Sequence, residues 1–373
     1  MPGYSPFGVR SSYLACVPLL PLHGHDAVRR RLDDAIRRNS LPASLLLQGP
    51  QGIGKQRLAL WLGQRLLCTG PEPRPCGTCQ HCRYALAGNH PDIHWYFPRP
   101  RLKDSDPSPE DVEDDFREAL AERTRTGIYA PPPPEEAILI ATIRAMAHAA
   151  ALAPALGARK VFVLGEADRL VVRDDSEFAA GAFLKLLEEP PKSANIILTS
   201  SEPGSLIPTI RSRLVAVRVP PLGAEAVEAV LAEPAMRAAL TAAGVPERAD
   251  ERRRLAAGAP GSLLGRAEWT DALARAQRML DVAGDRDRKA QMRVALGQGA
   301  ARARGAFSTS LDALTALLHE RARAALQRGN LDASRAASRA LVDVEQAKER
   351  ASGNVNPQLI TSELLRRLED QLR

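Results

Sequence analysis

The chain has no apolar run of the ~18 residues that a membrane-spanning helix needs. Its nearest approach, Leu14 to Leu22, is broken by Pro18 and Pro21. Only Arg10 precedes that stretch, which makes it a poor secretory leader, so a cytoplasmic protein is expected. Aromatic residues are scarce, at 4% of 373, and they are not interleaved with basic ones, so no stacking platform for single-stranded nucleic acid is predicted. His23, His25, His94, His148 and His319 are scattered and form no readable triad or dyad with the carboxylates; none is expected to act as a catalytic base. No repeat of fixed period is present. Cysteine is limited to five residues, yet four of them lie between positions 68 and 82. In a reducing cytosol such a cluster points to a metal rather than to disulfides. The fifth, Cys16, is expected to be a packed residue.

What remains is an ordinary globular composition, 45% hydrophobic and 25% charged, long enough for two or three domains. The net charge of +7 permits a nucleic-acid or acidic partner without requiring one. Residues 1 to 12 read as loose. His25 to Arg38 has helical spacing in Val28, Leu32 and Ile36. Apolar runs at 44–48, 159–164, 195–200 and 214–219 read as buried strands, and helical stretches at 57–67, 136–151 and 175–188 alternate with them. That alternation predicts an α/β fold with a parallel sheet. Between 99 and 134 the acids crowd together and Pro131 to Pro134 close the stretch, which predicts a solvated insertion, partly helical at most. After Pro220-Pro221 the composition turns to Ala, Leu and Arg and reads as helical to the end.

Four constellations carry chemistry. Gly49-Pro50-Gln51-Gly52-Ile53-Gly54-Lys55-Gln56 follows a strand and precedes a helix, the context of a phosphate-binding loop. Its Gly49, Gly52, Gly54 and Lys55 are intact, but Gln56 stands where Ser or Thr would ligate Mg²⁺. At the end of the next candidate strand, Gly165-Glu166 stands where Asp-Glu would hold the metal and polarise water. Both metal-holding groups are therefore replaced, and Glu166 alone survives as a vestigial base position; Asp168 is the remaining candidate for the ion. Ser212-Arg213 precedes a strand. Alone it reads as a surface arginine, but at a subunit edge such an arginine reaches a neighbour's γ-phosphate. Cys68, Cys76, Cys79 and Cys82 have the spacing of a closed, structural Zn²⁺ site, against the plainer reading of four unligated surface thiols. His81 and His90 lie close by with no necessary part in a complete Cys₄ set.

Together these residues resemble the clamp-loader subunits of the bacterial DNA polymerase III holoenzyme. The resemblance rests on the P-loop, the Cys₄ insertion after its helix, Leu184-Lys185-Leu186-Leu187-Glu188-Glu189-Pro190-Pro191, the Ser200-Ser201-Glu202-Pro203 turn and Arg211-Ser212-Arg213. It covers about residues 20 to 265, and Asn354-Val355-Asn356-Pro357-Gln358-Leu359 resembles the end of such subunits. Gln56, Gly165, Leu214 and Leu264 depart from the hydrolysing motors of the family, and the combination looks like its delta-prime type. The resemblance implies an AAA+ module over 1–221, a helical lid over 222–270 and an all-α collar over 271–373. It implies gamma/tau-like motor subunits, a delta-like subunit, the sliding clamp and primed DNA as partners, within a DNA-directed DNA polymerase. It further implies structural Zn²⁺, ATP held without productive Mg²⁺, and Arg213 offered in trans. Two alternatives stay open: a gamma/tau-like motor in which Glu166 and Asp168 manage the metal, and a zinc-dependent nucleic-acid module with a vestigial ATP fold.

Overall fold

The computed structural model describes residues 19–371 apart from 105, 129–130, 134–135, 171–176, 286, 299–303 and 353–355. Cys16, residues 1–12, which are expected to be loose, and Asn354 and Val355 of the terminal motif lie outside the described residues. In chain order the first module runs α1 (Asp26–Arg37), β1 (Ser44–Gln48), α2 (Lys55–Leu67), α3 (Gln80–Leu86), β2 (Ile93–Tyr96), α4 (Pro109–Thr124), α5 (Ile140–Ala151), β3 (Lys160–Leu164), α6 (Glu177–Glu188), β4 (Ala194–Ser200), α7 (Pro208–Arg211) and β5 (Val215–Arg218). The strands form one five-stranded sheet in the order β2-β3-β4-β1-β5, with every pairing parallel. Helices cover both faces, so β1, β3 and β4 are almost wholly buried and read as continuous apolar runs. Ligands of such sheets sit at the carboxyl ends of the strands, where β1 here opens into the glycine loop.

The four expected strands are present, and a fifth, β2, escaped the reading. It is four residues long and carries His94 between apolar neighbours, too little pattern to separate it from a loop. Its anchor is Asp92, fully buried, which accepts the backbone N–H groups of Ala155 (2.6 Å), Leu156 (2.8 Å) and Gly157 (2.6 Å). Burial pushes this carboxyl up, but the amide donors outweigh it and hold the pKa below its usual value.

The acidic stretch also differs from a solvated insertion. Ser108 and Asp111 form a reciprocal capping box, Pro109 occupies the first turn, and α4 runs 16 residues from there. Glu110, Asp111, Asp114 and Glu118 face solvent, while Val112 and Phe116 enter the main core. The Phe116 ring meets Tyr96 and Phe97 edge-on at 5.1 and 5.4 Å. Asp115 receives Arg99 through Nε and Nη2 at 3.0 and 2.8 Å. The acids are thus the wet side of an amphipathic helix that covers the β2 edge of the sheet.

Beyond Val219 lie α8 (Ala224–Ala232), α9 (Pro234–Ala242) and α10 (Ala249–Ala256), then α11 (Arg266–Asp285), α12 (Arg288–Leu296), α13 (Arg304–Gln327), α14 (Leu331–Ser352) and α15 (Pro357–Gln371). Three clusters of buried apolar residues are distinct, one within 19–219, one within 227–263 and one within 272–368, with Leu20, Ile128 and Ala259 packing across the first two. Each gives its segment a core of its own. α11 starts at Arg266, inside the 222–270 stretch expected for the lid, and runs on without a break to Asp285. No helix among the described residues is long and apolar enough to cross a membrane.

Candidate functional site

The glycine loop is tightly built. Gly52 and Gly54 have φ of +79° and +92°, a region that favours glycine. A Cβ at Gly49 would lie 2.2 Å from the Val219 carbonyl oxygen. The Ile53 carbonyl accepts His25 Nε2–H at 2.7 Å, and burial lowers the pKa of that histidine. The segment after α10 closes on the outer face: Gly261 N–H donates to the Gly52 carbonyl at 2.9 Å, and a Cβ on Gly52 would meet Ser262 N at 2.2 Å.

Lys55 folds back onto its own loop. Its Nζ donates to the Gly49 carbonyl, the Pro50 carbonyl and Ser201 Oγ, each at 2.8 Å. All three ammonium hydrogens therefore have acceptors in the protein. Burial depresses its pKa to about 8, with Asp168 and Glu166 opposing the shift. The cavity beside the loop has a volume of about 150 Å³ and an apolar wall that includes Leu20, Ile128, Leu222, Met236 and Leu264. Small-molecule sites commonly occupy ~300–1,000 Å³. Lysine at this position is thus a strut of the closed loop. Lys55→Ala is expected to lower stability by about 1–2 kcal/mol, because it removes three part-buried hydrogen bonds of the loop. Denaturant unfolding checks this; an unchanged midpoint would contradict the role.

Gln56 and Gly165 meet in space. A Cβ built on Gly165 would stand 2.4 Å from Gln56 Oε1, 2.5 Å from its Cδ and 2.9 Å from its Nε2. The amide fills the volume a side chain at 165 would need. It is buried, and Trp95 Nε1–H donates to its Oε1 at 2.9 Å. Glu166 sits in the left-handed region at φ +53° and pairs with Arg169 Nε at 3.1 Å. Burial pushes the Glu166 carboxyl up, against the pull of Arg169. Asp168 Oδ1 accepts the Ser201 N–H at 3.1 Å. A hard dication wants several oxygen ligands in near-octahedral array. Here it would find an amide turned to an indole where the hydroxyl should be and no carboxylate at 165, so these residues do not fit Mg²⁺.

The cysteines do converge. Cys68, Cys76, Cys79 and Cys82 place their sulfurs within 4.8 Å of one another. Cys76 and Cys82 are 4.0 Å apart, and Cys79 and Cys68 are 3.9 Å apart. Tetrahedral Zn–S bonds of about 2.3 Å require sulfurs about 3.8 Å apart, so the set fits a metal such as zinc. Backbone N–H groups of Cys76 and Cys79 donate to Cys68 Sγ and Cys76 Sγ, each at 3.3 Å. The amide of Cys79 and its neighbours hold the Cys76 thiol down to about 5, whereas burial pushes Cys82 up to about 12. Beneath the cluster His81 and His90 stack with a 2.9 Å Nδ1–Nε2 bond. His90 Nδ1 accepts the Asp92 N–H at 3.0 Å, so its Nε2 carries the hydrogen that His81 accepts. Burial, then the neighbouring His81, lowers the His90 pKa to about 4. The pair is structural and offers the cluster no ligand.

Arg213 lies apart from the glycine loop, between α7 and β5, with its side chain 30% exposed. Its Nε and Nη2 both donate to Glu188 Oε1, the former at 2.6 Å, and its Nη1 donates to the Thr209 carbonyl at 2.8 Å.

A family model described as "DNA polymerase III, delta subunit" matches residues 24–223, more than half of the chain. The chain belongs to that family. Curated relatives agree. "DNA polymerase III subunit delta'" of Pseudomonas aeruginosa is 33% identical over 48% of this chain and 44% of its own length. Its Escherichia coli counterpart is 30% identical over 59% and 53%. "DNA polymerase III subunit gamma/tau" of Mycobacterium tuberculosis is 29% identical over 51% of this chain and 26% of its own. The chain thus spans about half the length of the delta' relatives it matches. Among solved structures, a gamma subunit-related protein of Thermotoga maritima aligns over 92% of this chain and 99% of its own at 16% identity, with a TM-score of 0.42. The family assignment and the observed sheet make the first module an α/β AAA+ module, followed by a helical C-terminal region.

Within this delta-prime family member, sequence reading missed three partners: Trp95 for Gln56, the Gly261 segment over the loop, and Glu188 for Arg213. None has a local signal, since each joins positions 25 or more residues apart.

Proposed function

We propose that the chain is a non-hydrolysing subunit of a DNA polymerase III clamp loader, which works in the cytoplasm and supplies Arg213 to the ATP of a neighbouring gamma/tau-like subunit. The observation that carries this reading is the Gln56 amide lodged against Gly165, where a metal-holding carboxylate would otherwise stand. With no seat for Mg²⁺ the chain has no means of neutralising a developing γ-phosphate charge at its own loop. Arg213 has the right chemistry for a neighbour's, since a guanidinium brought in trans stabilises that charge. The partners on this reading are gamma/tau-like motors, a delta-like subunit, the sliding clamp and primed DNA. Any ATP in the closed loop would be held without productive Mg²⁺. Cys68, Cys76, Cys79 and Cys82 hold structural zinc, whose closed ligand set leaves no position for catalysis. The motor alternative loses support because the place of the metal-binding hydroxyl holds a Gln56 amide bonded to Trp95 and the space of a carboxylate at 165 is filled by that amide.

The test is ATP turnover with Mg²⁺, first by the purified chain and then by the complex reconstituted with and without it. The chain alone should show none, and Arg213→Ala in the complex should remove turnover that the wild-type chain stimulates. Brisk hydrolysis by the lone chain would refute the reading.

A further inference from the structure

Five N–H groups surround an arginine's guanidinium, and in Arg213 they are unevenly used. The Nε hydrogen and one Nη2 hydrogen point to Glu188 Oε1, and one Nη1 hydrogen to the Thr209 carbonyl. A second Nη1 contact, to Ser212 Oγ, is long at 3.5 Å. The other Nη2 hydrogen has no acceptor among the described residues. One edge of the plane is thus fixed to the protein, while the outer Nη2 hydrogen is unused and the second Nη1 hydrogen makes only the long Ser212 contact. Those two form a fork of the kind that grips two oxygens of a phosphate.

Glu188 is oddly placed for a helix former. It is the last residue of α6, where the helix dipole disfavours a carboxylate. The next residue, Glu189, is also acidic and exposed and has no cationic partner among the described residues. The support on either side is stiff. Pro190 and Pro191 follow α6, and Pro208 opens α7, whose Ile210 carbonyl accepts the Arg213 N–H at 3.1 Å. A half-exposed ion pair of this kind contributes little to stability. Its geometry is better accounted for by what it does to the orientation of the guanidinium.

We infer that Glu188 is a positioning residue for Arg213, holding the inner edge of the guanidinium so that its outer fork faces the γ-phosphate of a nucleoside triphosphate on the adjacent subunit. This rests on the proposed function and adds to it the group that aims the arginine. Glu188 touches no phosphate and acts only through Arg213. Because the bond needs an oxygen acceptor more than a charge, the amide of Glu188→Gln can replace it, whereas Glu188→Ala cannot.

The experiment uses the reconstituted complex carrying wild-type chain, Arg213→Ala, Glu188→Ala or Glu188→Gln, with complex formation verified by size-exclusion chromatography. The quantity read is the part of ATP turnover that Arg213→Ala abolishes. Glu188→Ala should lower the kcat of that part by roughly 10- to 100-fold, the upper figure being that of a catalytic group misplaced by about 1 Å, with KM for ATP unchanged. Glu188→Gln should retain most of it. If Arg213→Ala removes turnover and Glu188→Ala leaves it intact, raises it, or alters only KM, the positioning role is wrong while the proposed function stands. If Glu188→Gln is as defective as Glu188→Ala, the hydrogen-bonded aim is likewise refuted. If Arg213→Ala itself changes nothing, the trans role fails, and the inference with it.

Discussion

Aspartate introduced at position 165 with Gln56 retained should destabilise the chain by about 3 kcal/mol. Its Cβ alone would fall 2.4 Å from Gln56 Oε1, so the amide has to leave its place and release the Trp95 indole N–H. Overpacking of this kind costs about 1–3 kcal/mol. A new carboxylate beside Glu166, whose own carboxyl burial already pushes up, adds to it. Gln56→Thr alone should cost about 1–2 kcal/mol through the lost indole acceptor and the space left behind. The double substitution Gln56→Thr/Gly165→Asp should be less damaging than the sum of the singles by at least about 1 kcal/mol, because threonine vacates the volume that aspartate needs. It would also restore the hydroxyl and the carboxylate that bind Mg²⁺ in a working P-loop. Mg²⁺ should therefore raise the melting temperature of the double variant and leave the wild type unmoved. Denaturant titrations of the four proteins decide the coupling, and thermal melts with and without Mg²⁺ decide the metal. Strict additivity would mean that the two positions do not share one space.

That coupling explains which parts of the site were legible. The glycines, Lys55, Gln56 and Gly165 each announced themselves by position, because a P-loop fixes its residue types along a few adjacent places. The sheet was legible where strands are buried on both faces, as in β1, β3 and β4, since burial alone dictates their apolar runs. It failed at β2, an edge strand that begins beside a buried carboxylate and includes a histidine. The acidic stretch misled for a different reason. Acids on the wet face of α4 outnumber Val112 and Phe116, so composition masked an amphipathic pattern that only the capping box around Ser108 betrays. Long-range partners had no such trace. That Gln56 is held by Trp95 and Arg213 by Glu188 depends on how β2 and α6 lie in three dimensions, which one chain's spacing does not encode.

The cysteine cluster gives the other large expected effect. Wild-type protein should contain about one zinc per chain, and Cys76→Ser should contain almost none. Structural zinc contributes on the order of 10 kcal/mol to small domains that fold around it. Here the consequence should be confined, because the main apolar cluster is complete without the cysteines. The segment from Cys68 to Cys82 should become open to proteolysis while the principal unfolding transition persists. Gly70→Ala perturbs the same site without removing any ligand. A Cβ on Gly70 would sit 2.3 Å from Cys76 Sγ and 2.9 Å from its Cβ, so the methyl must displace that thiolate from the other three while leaving all four cysteines in the chain. Tetrahedral zinc tolerates little change in ligand position. Gly70→Ala should therefore lose zinc as Cys76→Ser does, with the same proteolytic opening. Zinc well below one per wild-type chain, or full zinc retained in Gly70→Ala, would show that the four sulfurs do not act as one site.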